Sequence, residues 1–517
     1  MEEVNIQSYT LKMKNILILS MLFTSVLFSN AQSISDGLLY TGQDLKGTAR
    51  YRGLSGAFGA LGGDLSAIGS NPASSVIFTN NYAAVSLGIL SSDNTSNYFG
   101  TNTIAENSDV TINQAGGVLV FEGPENKTVS KFSLSLNYDM TRNFDNSVNA
   151  RGTSPVSISQ YFLNNANGIA LDNFIVRTGD GETVGDLYQF LGQDFGFGAQ
   201  QGFLGYESFL IDSTDDSDLD NTNYVSNTGT GSFNQDYLVQ TSGYSSKFSF
   251  NGALELNKKW NLGINLNSHV ISMERFTSIE ESNSNADASI TDVRFDNTLF
   301  TEANGFSLQL GLIGKITENL RIGATYESPT WYTIEESQIQ EIITRGTNSS
   351  EVARVRPNVL NIFAPYQLRS PGSVTGSIAY VFGKSGLLSL DYTSRDYSQM
   401  RFSPDNSDLF RNNNQIINES LERAASIRIG GEYRVQNWTL RAGYRMEESP
   451  YANKNIMDDL TGYSLGFGYT WGKTILDISY DHSERDYSQQ LFDTGLNTSA
   501  GVFNEMDNIV FTLGFNL

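Results

Sequence analysis

The sequence has 517 residues, a formal net charge of −23 at pH 7 and no cysteine. This acidity argues against nucleic-acid binding, which needs a basic surface, and the lack of cysteine excludes disulfides, thiolate chemistry and a lipid anchor. Charged residues make up only 17% of the chain and aromatic residues 12%, a composition that fits a protein facing lipid.

Residues 1–31 predict a secretory signal peptide. A basic flank precedes an apolar run over residues 16–28, and small residues then lead to an expected cleavage before Gln32. The run is too short to cross a bilayer as a helix. Because the acidic residues near the first position do not suit a signal peptide, we expect translation to start at Met13.

Residues 32–79 lack the alternation of a strand and predict a compact, glycine-rich plug, or hatch. Their apolar residues recur at three- and four-residue steps, which indicates short helical turns. The residues that define this motif are Gly53, Gly56, Gly59, Gly62, Gly63, Asp64, Asn71, Pro72 and Ala73. Glycine at such a density permits close backbone approach and positive φ.

Residues 80–517 alternate apolar and polar positions with the two-residue period of a β-strand. In residues 132–140, for example, Phe132, Leu134 and Leu136 share one face. Fourteen such strands are predicted, near 81–90, 110–121, 130–140, 240–256, 260–273, 302–315, 320–334, 367–382, 386–400, 423–435, 438–448, 461–471, 474–485 and 507–517. A water-soluble sandwich could show the same alternation.

The connections between these strands favour a membrane barrel, because short turns alternate strictly with long loops. Short turns such as 257–259 and 472–473 are typical of the periplasmic side, and long loops, of which 141–238 is the largest, of the outside. Only a closed barrel satisfies every backbone amide of strands in lipid. We therefore predict an all-β membrane protein: a 14-stranded antiparallel transmembrane β-barrel over residues 80–517, with the plug inside its lumen.

Few groups suggest a cofactor or a metal. Asp216, Asp218 and Asp220 resemble the start of a calcium loop, but the glycine and closing glutamate of such a loop are missing, so a solvated acidic loop is favoured. The histidines, His269 and His482, are far apart and give little support for haem ligation. We expect no cofactor, and because no catalytic motif is present we expect no enzyme activity.

Several motifs together resemble the FadL-type family of outer-membrane transporters. They are Gly53–Gly63 with Asp64, Ser66-Ala67 and Asn71-Pro72-Ala73 before the first strand, then Tyr326–Pro329, Leu368–Val374, Trp438–Tyr444 and Leu476–Tyr480. They occur in order over nearly the whole mature chain. The resemblance implies passive transport of hydrophobic small molecules, fatty acid-like or aromatic, across the outer membrane of a Gram-negative bacterium, with lateral release into the bilayer.

The resemblance also implies an external landing surface for the ligand. Two helix-like stretches of the longest loop supply its candidates, which are Phe162, Leu163, Leu187, Tyr188, Phe190 and Leu191. An equally good interpretation makes these residues the core of a folded loop.

If the apolar positions of each strand face lipid, the polar positions that alternate with them should face the lumen. They include Asp139, Lys247, Arg321, Glu327, Asp391, Arg395, Glu432, Arg434, Asp477 and Asp481, and the candidates for a lumen site are Arg428, Arg441, Arg445 and His269. An arginine there could hold a ligand carboxylate. The favoured interpretation is that these groups pair with one another and pack the wall against the plug.

The partners expected are a hydrophobic small-molecule ligand and outer-membrane lipid. An alternative function is that of a scaffold or adaptor subunit in an outer-membrane secretion or assembly complex, which would add complex partners. The two functions predict different interiors, because a transporter needs a route through the lumen and an adaptor does not.

Overall fold

A computed structural model of the protein describes residues 33–124, 127–405 and 407–517. The predicted signal peptide and the expected start at Met13 lie outside these residues. Within them, no helix is both long enough and apolar enough to cross a bilayer.

The chain is dominated by β-strands. In chain order they are β1 (Tyr82–Tyr98), β2 (Thr101–Glu122), β3 (Val129–Asn143), β4 (Asn146–Ser154), β5 (Ile211–Ser213), β6 (Tyr224–Ser226), β7 (Phe233–Leu256), β8 (Trp260–Ser282), β9 (Asp292–Lys315), β10 (Leu320–Glu327), β11 (Trp331–Arg345), β12 (Glu351–Val355), β13 (Asn361–Ile362), β14 (Tyr366–Arg369), β15 (Ser373–Val381), β16 (Gly386–Asp396), β17 (Arg401–Ser403), β18 (Arg423–Val435), β19 (Trp438–Glu447), β20 (Leu460–Trp471), β21 (Thr474–Gln489) and β22 (Ala500–Asn516).

The helices are short and lie at the N-terminus or in the long loops. They are α1 (Ile34–Thr41), α2 (Ala49–Arg52), α3 (Leu65–Ser70), α4 (Ser159–Ala166), α5 (Val184–Asp194), α6 (Phe197–Glu207) and α7 (Asp408–Ser420), with 3-10 turns at Pro72–Ile77, Leu171–Phe174, Thr178–Asp180, Thr347–Ser349 and Tyr397–Gln399.

Fourteen antiparallel strands form a closed barrel, as predicted. The order around the wall is β1, β2, β3, β7, β8, β9, β10, β15, β16, β18, β19, β20, β21 and β22. The last strand closes on the first, with pairs from Tyr82↔Asn516 to Asn97↔Gly501. The strands continue beyond their apolar stretches, so most of the connection between the first two predicted strands, 81–90 and 110–121, is also strand.

The two faces of the wall differ as the alternation predicts. On β3, Leu134 and Leu136 are about half exposed on the outer face, whereas Ser133 and Asn137 are buried on the inner face. An exposed band of apolar side chains around a polar interior is the reverse of a soluble protein and typical of a membrane barrel.

Three neighbouring strands of the wall are interrupted at one level. Ser328–Thr330 separates β10 from β11, Ser370–Gly372 separates β14 from β15, and residues 397–400 separate β16 from β17. Proline has no N–H to donate and interrupts the ladder, and the serine hydroxyls beside the prolines accept backbone N–H groups here. Ser328 Oγ accepts from Leu308 N at 2.9 Å, and Ser370 Oγ accepts from Thr330 N at 2.8 Å. Above this level β11, which stays paired with β9, continues outward with β14 and β17 beside it as an extension of the same sheet.

Candidate functional site

The N-terminal segment, residues 33–79, folds into short helices inside the barrel and is called the plug below. Polar residues of the predicted glycine-rich motif cap these helices. Asp64 Oδ1 accepts from Ser66 N at 2.9 Å at the start of α3, and Asn71 Oδ1 accepts from Ala73 N at 3.1 Å at the following turn. The amide of Asn71 also donates to Gly59 O at 2.7 Å, which ties the two halves of the motif together.

Glycines allow the plug backbone to lie directly against the wall. A Cβ on Gly323 of β10 would fall 2.1 Å from Gly59 O. A Cβ on Gly263 of β8 would fall 2.3 Å from the carbonyl carbon of Pro72. Glycine is required at these places because no side chain fits between the two backbones.

Buried ion pairs fix the plug to one side of the wall. The Arg52 guanidinium donates to both carboxylate oxygens of Asp481 at 2.6 Å, and both side chains are almost completely buried. Arg50 donates to Glu432 at 2.9 Å, a carboxylate that Arg441 also contacts at 2.8 Å. Burial of a charge requires such a partner. The alternation of the strands predicted that the two carboxylates face the lumen. It could not predict the roles of the two plug arginines, because they do not lie on a strand.

Single hydrogen bonds fix the plug to the rest of the wall. Asp391 Oδ2 accepts from the backbone amides of Phe58 and Gly59, both at 2.9 Å. On the far side of the barrel the Asn265 amide donates to Ile68 O at 2.8 Å, and the Gln309 amide donates to Gly69 O at 2.9 Å. The plug is therefore held from opposite sides of the barrel.

The four predicted lumen candidates all have protein partners. Arg428 and Arg445 contact Glu447 at 3.2 and 3.5 Å. Arg441 bridges two carboxylates, of which Asp477 lies at 2.6 Å. His269 lies elsewhere in the lumen, with Nε2 at 2.9 Å from Ser307 Oγ. The structure thus brings the arginines near one another, apart from the histidine, and engages each of them with protein groups.

The candidate landing residues lie in a folded external core. Phe162, Leu187, Tyr188 and Leu191 are at most 2% exposed, because α4, α5 and α6 pack against one another and against the outer ends of the strands. These four offer no open surface. Leu163 is half-buried at the edge of this core, and Phe190 is 46% exposed.

The predicted calcium candidates are not gathered into a site. Asp216, Asp218 and Asp220 are exposed, and Asp218 accepts a backbone hydrogen bond from Asp220 at 3.0 Å. Among residues 33–124, 127–405 and 407–517, no group of three or more His, Cys, Asp or Glu is arranged to hold a metal ion. The short acidic loop lacks the turn that would fold its carboxylates inward.

The wall is discontinuous between β2 and β3. β2 pairs with β1 up to the hairpin at Tyr98↔Thr101, but its pairing with β3 covers only the pairs from Gln114↔Asp139 to Glu122↔Lys131. Beyond this point the chain of β3 bends inward, with a bulge between Met140 and Arg142, and continues beside β7 as β4. This break is called the β2–β3 gap below.

Different chemistry lines the two sides of the gap. On the outer face of β2, Val110 is 68% and Ile112 is 51% exposed. On the inner side, the Asn143 amide donates to Asp109 Oδ2 at 3.0 Å across the gap. The plug reaches the same place, because Arg142 Nη1 donates to Leu39 O at 2.9 Å. The gap therefore joins the outer apolar face of the barrel to the plug.

A closed barrel with an apolar outer band, a polar interior and a bonded plug defines the class of plugged β-barrels of the outer membrane. A family model described as "Outer membrane protein transport protein (OMPP1/FadL/TodX)" matches residues 221–508, which is more than half of the chain. The chain belongs to this family. It is a multi-pass outer-membrane protein, and since the family consists of transport proteins, it is not an enzyme.

Solved structures agree with the fold. A Pseudomonas aeruginosa FadL homologue is similar over 92% of this chain and 99% of its own, with 12% identity and a TM-score of 0.55. The P. putida toluene transporter TodX is similar over 92% of this chain and 99% of its own, with 12% identity and a TM-score of 0.50. No curated protein matches the sequence. At this identity the likeness concerns the fold alone.

Proposed function

We propose that the protein carries hydrophobic small molecules, fatty acid-like or aromatic, through the outer membrane and releases them sideways through the β2–β3 gap. The observation that carries this proposal is the early end of the β2–β3 ladder at Gln114↔Asp139. In a closed barrel an unpaired strand edge is costly in hydrocarbon, so a long one calls for a functional reason.

The chemistry of the gap suits an apolar ligand. Val110 and Ile112 put an apolar edge on the membrane side of the opening. An apolar molecule gains free energy by entering hydrocarbon and none by entering the aqueous periplasm. Sideways release therefore needs no energy source. Membership of an outer-membrane transport family supports the same conclusion, and one protein of similar fold is a toluene transporter.

The plug is placed to control the gap. Arg142, on the inward bend of β3, contacts the plug at Leu39 O and lies 3.6 Å from an Asp44 carboxylate oxygen. A shift of this part of the plug would move the bend of β3 and change the width of the opening.

Fixing the width of the gap tests the route. The chain has no cysteine, so Asp109→Cys with Asn143→Cys gives one reactive pair across the gap, where the native side chains are hydrogen-bonded. Joining the pair with a short cleavable thiol cross-linker should abolish uptake of labelled fatty acid or toluene by cells that lack other transporters. Cleaving the linker should restore uptake.

A matched control is the pair Glu484→Cys with Glu505→Cys, which face each other in the continuous β21–β22 ladder. Cross-linking there should leave uptake unchanged. Full uptake with the gap joined would exclude the lateral route. If uptake by cells with the protein that has not been cross-linked were no greater than in cells without the protein, transport itself would be excluded.

The alternative function as a scaffold or adaptor is favoured by one observation, the bonding of the plug to opposite sides of the wall by Arg52, Asp391 and Asn265. A protein that only docks partners has no need for a movable interior. Deletion of the gene with unchanged uptake, together with a stable co-purifying outer-membrane complex, would support this alternative.

A further inference from the structure

A recess of about 750 Å³ opens where β14, β17 and α7 meet. Its lining includes Trp331, Gln367, Arg369, Arg401, Arg411 and Asn414, and it is called the arginine recess below. It opens on the outer side of the sheet, where Trp331, Gln367 and Arg369 are exposed, and its lining also includes Tyr332 and Leu368, which belong to the interior cluster that contains Leu38 of the plug.

The recess lies at the outer boundary of the apolar band. Arg369 ends β14, and Tyr380, eleven positions later in the chain, is an exposed aromatic residue near the other end of β15. With about 3.3 Å per residue and a strand tilt of about 40°, the height between them is roughly 28 Å, close to the band height of about 25 Å. Trp331, 52% exposed beside Arg369, marks the interface where tryptophan is favoured.

The recess is positively charged in a chain of net charge −23. Three arginines and one carboxylate, Asp405, belong to its lining, and one of the arginines, Arg411, is paired with Asp408, so the excess positive charge comes from Arg369 and Arg401. Among the described residues Arg369 has no hydrogen-bond or ion-pair partner. Arg401 donates to two backbone carbonyls and to the Asn418 side chain, all at 2.7 Å, so its charge stays uncompensated.

We propose that the arginine recess binds the phosphate of a phosphorylated glycolipid of the outer leaflet. A guanidinium binds phosphate oxygens in a bidentate manner. The height of the recess places that phosphate at headgroup level, and the exposed Val374 and Tyr392 below it offer apolar surface to acyl chains. This inference is independent of transport, since the recess lies on the outer face, away from the β2–β3 gap.

The probe is diphosphorylated lipid A in mixed detergent micelles, with bound lipid counted by native mass spectrometry of the purified full chain. Arg369→Gln should weaken binding about ten-fold or more, the effect of losing a charge-assisted hydrogen bond. Arg369→Lys should retain part of the affinity. The control is Arg354→Gln, because Arg354 is similarly exposed but already paired with Glu341 and Glu351.

Arg369 is exposed and unpaired, so its variants should fold, and unchanged thermal unfolding verifies this. Unchanged lipid binding by Arg369→Gln would overturn the proposal. So would equal binding of dephosphorylated lipid A. Displacement of the lipid by inorganic phosphate at equal concentration would assign the recess to free phosphate and overturn the choice of lipid. Uptake of hydrophobic compounds should be the same in all these variants.

Discussion

Replacing Asp481 by asparagine should release the plug from the wall. The change leaves the Arg52 guanidinium buried without a counter-ion, because Asp481 receives both of its 2.6 Å hydrogen bonds. Breaking a buried ion pair by removing one partner costs about 3–5 kcal/mol. At about 1.4 kcal/mol per factor of ten, the undocked fraction of the plug rises by roughly 10² to 10⁴.

Hydrogen exchange of plug amides in detergent measures this fraction, and conductance of single barrels in planar bilayers reports the opening. The double variant Arg52→Met with Asp481→Leu should recover most of the protection, since apolar groups of similar volume often replace a buried pair without loss. Removing Glu351, the exposed partner of Arg354, should cost only about 0–1 kcal/mol. The reasoning would be refuted if the plug amides of Asp481→Asn were as well protected from exchange as those of the native protein. It would also be refuted if the plug amides of the double variant were less protected than those of the single variant.

Three further outcomes follow from features of the wall and loops. Gly323→Ala should loosen the plug in the same exchange assay because a Cβ there meets the plug backbone, whereas Gly376→Ala, with nothing within 4 Å, should not. Leu134→Arg, on the lipid face, should lower the stability of the barrel refolded in vesicles by about 2–4 kcal/mol, and Leu134→Ile should not. Hydrogen bonds from the Thr230 backbone and hydroxyl lower the pKa of Asp287 in an external loop. Its contribution to loop order is therefore present above the ordinary aspartate pKa and lost as the pH falls through the lowered value. The protection of the Thr230 amide, measured against its intrinsic exchange rate at the same pH, should therefore fall in acid but not change with pH in Asp287→Asn.

The strand count was predictable from the sequence because lipid imposes a strict period on the outer face, as in residues 132–140. Strand lengths were not. Beyond the hydrocarbon the outer face no longer needs apolar side chains, so residues such as Ser91 and Asp93 break the pattern although backbone pairing continues. The interruption at Ser328–Thr330 was visible as a proline, but a continuous strand over 320–334 was predicted, since the sequence does not show that the Ser328 hydroxyl accepts from Leu308 N of the neighbouring strand at this point.

The interior was predictable only in part. The plug motif predicted its own local folding, because Asp64 and Asn71 act as caps within a few residues. The partners of Arg52 and Phe58 lie more than 300 residues away in the chain, and no local pattern marks such pairs. The burial of Leu187 likewise depends on which helix packs against it, which helical periodicity leaves open.

The seam between β22 and β1 has a consequence for biogenesis. The plug immediately precedes β1, and Ala49 N donates to Thr512 Oγ1 of β22 at 2.7 Å while Ser75 and Ser133 of β3 are bonded at 2.8 Å. The plug thus contacts both the first and the last hairpins of the barrel and can act as a template for their pairing. An outer-membrane assembly machinery that inserts this protein must therefore hold the sheet open until the plug is inside. Pairing of sixteen residues of β1 with β22 then closes the barrel as the final step of assembly.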